Sequence, residues 1–285
     1  ATSDSDLYPN YQTVANLLGE MNVPPDFGAD KDLRYTHRRN GEVDIYFVSN
    51  PEQTDVEAGC TFRVRGKAPE IWDPLTGEIR PATVFCQRDL HTTMPLKFEP
   101  AGSLFVVFRR PADRIRSEGQ NFPRFETIGE IAGPWNVAFE PRLGGPESIR
   151  FDKLIDWTRH DEPGIRHYSG KAVYDIAFQL GEQTKNQRTF LNLGRVKDLA
   201  EVRLNGRRLG VLWCSPWRVE ITAALQPGQN SLQVTVVNQW VNRLIGDASL
   251  PAEKRIARTT WNPYKPDSPL LESGLLGPLR LERMQ

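Results

Sequence analysis

Alternation of apolar and polar residues on both sides of an Asn-Gly pair is the feature that most constrains this sequence. The stretch VRLNGRRLGVLW contains such a pair at Asn205-Gly206, and LRYTHRRNGEVDIYFVSN contains another at Asn40-Gly41. A period of two is typical of strands with one buried face, and an Asn-Gly pair supplies the positive φ angles of a tight hairpin turn. Both stretches therefore predict β-hairpins. Around the turn at Asn205-Gly206 we expect Leu204, Leu209 and Val211 to face inward.

Similar short segments, separated by Gly, Pro and Asn, fill most of the chain and predict an all-β fold class with two β-sandwich domains. We assign residues 31–110 to the first sandwich and residues 125–285 to a second, of the jelly-roll type. Residues 111–124 are polar and lack periodicity, so we place a linker there. Residues 1–30 contain one predicted helix, Val14 to Met21, whose apolar stripe a single helix cannot bury. We interpret it as a helical remnant of a larger upstream domain.

Three segments near the end of the second domain carry weaker patterns. We predict long loops for WVNRLIGD and for the proline-rich WNPYKPDSP. GLLGPLRLERM predicts a returning edge strand.

Composition excludes several classes of partner. Lys plus Arg and Asp plus Glu both number 36, so the net charge is zero and no basic groove for nucleic acid is expected. No apolar run approaches the roughly 18 residues of a membrane span. The three cysteines are too few and too widely spaced for a disulfide framework or a zinc site. The polar start ATSDSD predicts a cut within a longer reading frame, so any leader would lie outside this sequence.

The sequence offers no compact catalytic signature. Glycoside hydrolysis needs two carboxyl groups across a bond, and metal hydrolysis needs clustered ligands, but neither pattern occurs. The nearest ionic cluster is Asp156, Asp161 and Glu162, which fits a structural calcium ion or a set of solvated loop charges. We favour solvated loop charges, and we expect no other cofactor.

Tryptophan is concentrated in the second domain, which holds six of the seven. Trp157 and Trp213 lie in alternating strands and are predicted to be core residues. Trp217, Trp240 and Trp261 lie at loop edges, where an indole ring serves either as a platform for a sugar ring or as an interface anchor. The sequence does not choose between these two roles.

A carbohydrate site would combine such a ring with fixed polar groups. The polar segment NRLIGD, which ends at Asp247, can either pin a loop or contact sugar, and we favour pinning. The candidate carbohydrate-binding residues are Trp217, Arg218, Trp240, Asn242, Arg243, Trp261 and Tyr264.

The motifs GKAVYDIAFQL and LGRVKDLAEVRLNGRRLGVLWCSPWRVEITAALQPGQNSLQVTVVNQWVNRLIGD resemble the galactose-binding-like jelly roll of family 2 glycosidases. With the NRLIGD tail they are most similar to the C-terminal part of the α-L-rhamnosidases of glycoside hydrolase family 106. HRRNGEVDIYFVSNPEQ and PEIWDPLTGEIRPA resemble the β-sandwich that follows the catalytic barrel in those enzymes. The resemblance extends from about Asp26 over nearly the whole chain.

This resemblance implies a non-catalytic region of a rhamnosidase-like hydrolase. In that family the upstream barrel carries the acid and base carboxylates and a calcium-linked substrate site, so no catalytic residue is carried over to this sequence. The implied partner is the barrel of the same polypeptide, with carbohydrate as a second candidate, and the implied location is secreted or periplasmic. The alternatives are an independent carbohydrate-binding module and a structural protein of two sandwiches without a ligand.

Overall fold

The computed structural model describes residues 10–114, 119–181 and 187–285, and the chain divides into two compact units, 1–123 and 124–285. The fold is all-β, as the sequence predicts, with few helices. The described part contains no helix that is both long and apolar enough to cross a bilayer.

The first unit contains helix α1, Tyr11–Glu20, and two antiparallel sheets. Its five-stranded sheet has the order β2-β3-β9-β5-β6 and its four-stranded sheet the order β1-β4-β8-β7. The strands are β1 Phe27–Ala29, β2 Arg34–Asn40, β3 Val43–Ser49, β4 Val56–Phe62, β5 Lys67–Trp72, β6 Ile79–Pro81, β7 Cys86–Arg88, β8 His91–Phe98 and β9 Ser103–Pro111.

The predicted hairpin of the first unit is formed by β2 and β3, with Gly41 at positive φ in the turn. Alternate residues of β3, including Tyr46 and Val48, are fully buried in the core between the sheets. Unlike most strands of the unit, helix α1 has no buried residue.

The second unit has a six-stranded sheet of order β12-β11-β13-β19-β16-β17, a four-stranded sheet of order β10-β21-β14-β18, and the pair β15-β20. Its strands are β10 Phe125–Ile131, β11 Trp135–Ala138, β12 Ile149–Phe151, β13 Lys171–Leu180, β14 Thr189–Asn192, β15 Arg195–Lys197, β16 Leu199–Leu204, β17 Arg207–Leu212, β18 Arg218–Glu220, β19 Gly228–Val237, β20 Gly274–Gly277 and β21 Leu279–Met284. Its helices are α2 Pro163–Arg166 and α3 Val241–Ala248, with single 3₁₀ turns at Pro141–Leu143, Trp157–Arg159, Thr222–Ala224 and Ala252–Lys254.

The turn between β16 and β17 has both Asn205 and Gly206 at positive φ, as a tight hairpin requires. Leu204 is buried and Leu209 packs against the core, but Val211 is exposed, so the prediction for Val211 was wrong. Val202 pairs with Gly210 and the next residue, Arg203, pairs with Arg208, so Leu209 is an extra residue in β17. Such a bulge inverts the alternation of the residues beyond it.

Two predicted segments of the second unit have a different structure. WVNRLIGD is not a loop, because residues 241–248 form α3. GLLGPLRLERM does not form one edge strand: β20 pairs with β15, and β21 lies between β10 and β14. Pro278 falls between β20 and β21, where its missing N–H costs no ladder hydrogen bond.

The unit boundaries also differ from the predicted ranges. β1 lies before residue 31 and pairs with β4, so the first sandwich begins earlier. Within the predicted linker, Asn121 is buried and exchanges hydrogen bonds of 2.7 and 2.8 Å with the backbone of Val84. Phe122 packs against the first core. Residues 119–123 therefore belong to the first unit and Arg124 begins the second, whereas 115–118 lie outside the described residues.

Candidate functional site

The segment Leu271–Ser273 precedes β20 and is fixed by side chains from distant parts of the second unit. Asn242 of α3 donates from Nδ2 to the carbonyl of Leu271 at 2.7 Å and accepts from the Leu271 amide at 2.8 Å. The Ser273 amide donates to Asp156 at 3.0 Å. Hydrogen bonds from two elements thus hold this segment in one conformation.

A buried aromatic pair lies beneath this segment. Trp157 donates from Nε1 to the Tyr174 hydroxyl at 2.6 Å, and the Leu275 amide donates to the same hydroxyl at 3.3 Å. Burial raises the pKa of the Tyr174 phenol above its ordinary value, so the group stays neutral. Gly274 has a φ of +104°, and a Cβ there would lie 2.5 Å from Trp157 Nε1. Glycine is required here because the backbone passes so close to the indole ring.

Two cavities lie on either side of this segment and share Glu272. The first has a volume of about 290 Å³ and the second about 510 Å³. Glu272 accepts two hydrogen bonds from Arg195, at 2.8 and 2.7 Å, and this ion pair forms part of the wall of the second cavity. The first cavity is lined mainly by polar side chains: Lys197, Asp198, Gln239, Asn242, Glu272 and Ser273.

Of the predicted sugar-binding residues, Asn242 lines the first cavity, and Trp240 lies between Gln239 and Val241, which also line it. Trp240 is 51% exposed. Trp261 is 75% exposed, and it lies with the half-buried Tyr264 in a different loop. Trp217 is partly buried and packs against the core. Of these residues, the structure therefore places only Asn242 in the lining of this cavity.

The two predicted arginines are held by protein carboxylates. Arg218 donates to Glu282 at 2.6 Å, within the four-stranded sheet. Arg243 is buried and lies 3.0 Å from Asp247. Asp247 accepts hydrogen bonds from the amides of Ile256 and Ala257 at 3.0 and 2.7 Å, which pins the loop that follows α3.

The three predicted metal ligands have separate local roles. Asp156 accepts from the amide of Thr158 at 3.0 Å and from its hydroxyl at 2.7 Å, which caps a 3₁₀ turn. Glu162 caps α2 through the Gly164 amide. Asp161 is exposed. Within the described ranges, no group of three His, Cys, Asp or Glu side chains has the arrangement of a metal site.

The prediction that Trp157 and Trp213 are core residues holds for one of them. Trp157 is fully buried, whereas Trp213 is 62% exposed, so the prediction for Trp213 was wrong. β17 ends at Leu212, so the alternation of that strand does not set the direction of the Trp213 side chain.

A third cavity, of about 440 Å³, lies in the first unit among charged side chains. His37 stacks on Tyr46, and its two ring nitrogens lie 3.4 Å from Asp26 and 3.2 Å from Asp44. Burial alone would raise the pKa of Asp26, but hydrogen bonds from Arg63 and His37 hold it below its ordinary value. These charges pair with one another and attach β2, whose other residues are all exposed, to the sandwich.

Four residues of the first cavity were missed by sequence reasoning: Lys197, Asp198, Gln239 and Glu272. They come from three separate positions in the chain, and none belongs to a recognisable motif. Only the pairing of β15 with β20 and of β16 with β19 brings them together.

Comparisons with known proteins agree with this architecture. Residues 7–86 match the family model described as alpha-L-rhamnosidase, and residues 158–262 match the galactose-binding domain-like model of glycosyl hydrolase family 2. The solved rhamnosidase from Novosphingobium sp. PP1Y aligns with 95% of this chain at 36% identity and a TM-score of 0.85. The chain resembles part of a rhamnosidase. It spans 26% of that enzyme chain.

A second relative is a putative beta-glucuronidase from Formosa agariphila, 37% identical over 176 residues. The match covers 53% of this chain and 15% of that protein. The two sandwiches therefore correspond to a region of glycoside hydrolases much longer than this chain.

Proposed function

We propose that this chain is a non-catalytic supporting region of an α-L-rhamnosidase-like glycoside hydrolase and that it docks on the catalytic barrel. The observation that carries the proposal is the uncovered apolar face of α1. Tyr11, Leu17 and Met21 are exposed, and no residue of the helix is buried. An isolated helix of ten residues is marginal in water, so α1 needs a partner surface to be stable. The barrel of the enzyme is the partner we assign to it.

The buried carboxylates support the non-catalytic role. Glycoside hydrolysis uses two carboxyl groups that are free to act on either side of a sugar bond. In the described part of the chain, each buried carboxylate instead has a cationic partner: Asp44 has Lys67, Glu70 has Arg109, Asp247 has Arg243, and Glu282 has Arg218. Such pairing suits structural charges better than a general acid.

A chimeric enzyme tests both parts of the proposal. We would replace the matching region of the Novosphingobium rhamnosidase with this chain and measure hydrolysis of an aryl α-L-rhamnoside and the temperature of unfolding. The chimera is expected to be active and this chain alone inactive. Leu17→Asp should lower the unfolding temperature of the chimera, while Glu20→Gln on the same helix should not. Hydrolysis by this chain alone, or equal effects of the two substitutions, would contradict the proposal.

Carbohydrate binding by the second unit is a second candidate function, favoured by the exposed rings of Trp240 and Trp261. Exposed indole rings of this kind stack on the apolar faces of sugars. Titration of this chain with rhamnose-capped oligosaccharides, beside Trp240→Ala and Trp261→Ala, tests it. Binding that is unchanged in both variants would remove the aromatic platform from the proposal.

A further inference from the structure

Three side chains that line the first cavity have no hydrogen-bond or ion-pair partner within the described part of the chain. They are Lys197, Asp198 and Gln239. Polar groups in a concave site without protein partners are available to a ligand. They differ in this respect from Asn242, whose amide is occupied by the backbone of Leu271.

The backbone beneath these three side chains is fixed. Lys197 is paired with Gly274 across β15 and β20, and the Asp198 amide donates to Val237 at 2.9 Å. Asn238, next to Gln239, is buried and donates to the Tyr168 carbonyl at 2.9 Å. The backbone positions from which the three side chains extend are therefore set before a ligand arrives, so no backbone ordering adds to the entropic cost of binding.

The chemistry of the cavity selects the class of ligand. A lysine ammonium only donates hydrogen bonds, a carboxylate only accepts them, and a glutamine amide does both. The charges of Lys197 and Asp198 balance, and Glu272 is neutralised by Arg195. Neither an anion nor a cation is favoured by such a set, whereas neighbouring hydroxyl groups, which donate and accept, match it.

The size and the apolar part of the lining point to a single sugar ring. The volume of about 290 Å³ lies at the lower end of small-molecule pockets. Val241 and Leu271 supply apolar surface within the cavity. The larger cavity beyond Glu272 leaves room for further units of a glycan.

We propose that the first cavity binds one neutral pyranose unit of a glycan through Lys197, Asp198 and Gln239. This inference rests on the carbohydrate-binding candidate described above and not on the docking role of α1. It assigns the contact to the strand ends of the second unit and leaves Trp261 and Tyr264 outside the site.

Titration calorimetry and saturation-transfer NMR of the full 285-residue chain test the proposal. The probes are L-rhamnose and D-galactose as neutral sugars and D-glucuronate as an anionic one. Asp198→Asn and Gln239→Ala should each weaken binding of a neutral sugar, by about tenfold for Asp198→Asn, since a hydrogen bond to a charged group contributes about 1.5 kcal/mol or more. Asp161→Asn and Gln229→Ala, which alter exposed residues outside the cavity, are the matched controls and should bind as the unaltered chain does.

The outcomes separate the two proposals. Sugar binding that survives both Asp198→Asn and Gln239→Ala would overturn this site and leave the carbohydrate-binding candidate standing. Absence of binding to all three probes would overturn both, and stronger binding of D-glucuronate would overturn the neutral class. Gln239 is exposed, so Gln239→Ala should keep the fold, and the thermal unfolding midpoint of each variant checks this.

Discussion

Arg218 and Glu282 form a 2.6 Å ion pair that reaches across β14, the strand between their own. The Arg218 guanidinium also lies 4.0 Å from the ring centroid of Phe125 on β10. Asn192 of β14 donates to the second oxygen of Glu282 at 2.8 Å. One charged pair thus connects all four strands of the sheet.

The first prediction concerns this pair. Glu282→Gln should lower the free energy of unfolding by about 3 kcal/mol, because Arg218 would keep a charge with little access to water. Replacement of both residues by methionine should cost less than the single change. Glu220→Gln removes the exposed pair with Arg188 and should cost at most about 1 kcal/mol. Urea unfolding measures all three, and equal losses for Glu282→Gln and Glu220→Gln would contradict the prediction.

The second prediction compares one chemical change at two tyrosines. The Tyr174 hydroxyl is a partner of Trp157 and Leu275, so Tyr174→Phe leaves two buried donors unpaired and should cost roughly 1–3 kcal/mol. The Tyr46 hydroxyl is buried and has no hydrogen-bond partner among the described residues. Tyr46→Phe should therefore be neutral or stabilising. Denaturant unfolding gives the free energy of unfolding of both variants. A larger loss of this free energy for Tyr46→Phe than for Tyr174→Phe would refute the prediction.

The third prediction concerns alkaline pH. Burial raises the pKa of Tyr174 above the ordinary 10.0, so the unfolded chain loses this proton at a lower pH than the folded chain. The contribution to stability is therefore complete below pH 10 and declines as the pH rises beyond it, by up to about 1.4 kcal/mol per pH unit. Tyr174→Phe should make stability less dependent on pH above 10. Unfolding curves between pH 8 and pH 11, set beside those of Tyr264→Phe, measure the difference.

The fourth prediction concerns acid. The pKa of Asp26 is lowered from 3.8 in the folded chain, so the unfolded chain takes up this proton first as the pH falls. The stability contributed by Asp26 is complete above pH 4 and is lost below it. Asp26→Asn should reduce the loss between pH 5 and pH 3, and 1 M salt should reduce it in the original chain because the pair with Arg63 is partly exposed. The same acid dependence in Asp26→Asn and in the surface variant Glu57→Gln would argue against this role.

The strands with strict alternation of apolar and polar residues could be predicted from the sequence, because successive side chains of a strand point to opposite faces of the sheet. The hairpin at Asn205-Gly206 illustrates this, and Val211 marks its limit. A bulge moves the later side chains of a strand to the opposite face, and no distinctive residue pattern marks it. The exposed Trp213 comes directly after β17, the strand in which this happens.

Helix α3 was missed for a different reason. Val241, Leu244, Ile245 and Ala248 have helical spacing, but the helix has only eight residues and its buried residues also include Asn242, Arg243 and Asp247. Long-range pairing, which no local pattern encodes, also gathers Lys197, Asp198 and Gln239 at one cavity.

The central position of β21 has a consequence for synthesis. Residues 279–284 leave the ribosome after every other strand of their sheet, yet β21 pairs through its backbone with both β10 and β14, which do not pair with each other. At ordinary translation rates, the earlier strands of the second unit are synthesised on the order of ten seconds before β21, and their apolar face is exposed to solvent during that time. The strands of the first unit are all complete by Pro111, so it can fold while the second is still being made. Chaperone binding to the nascent chain should therefore concentrate on the second unit.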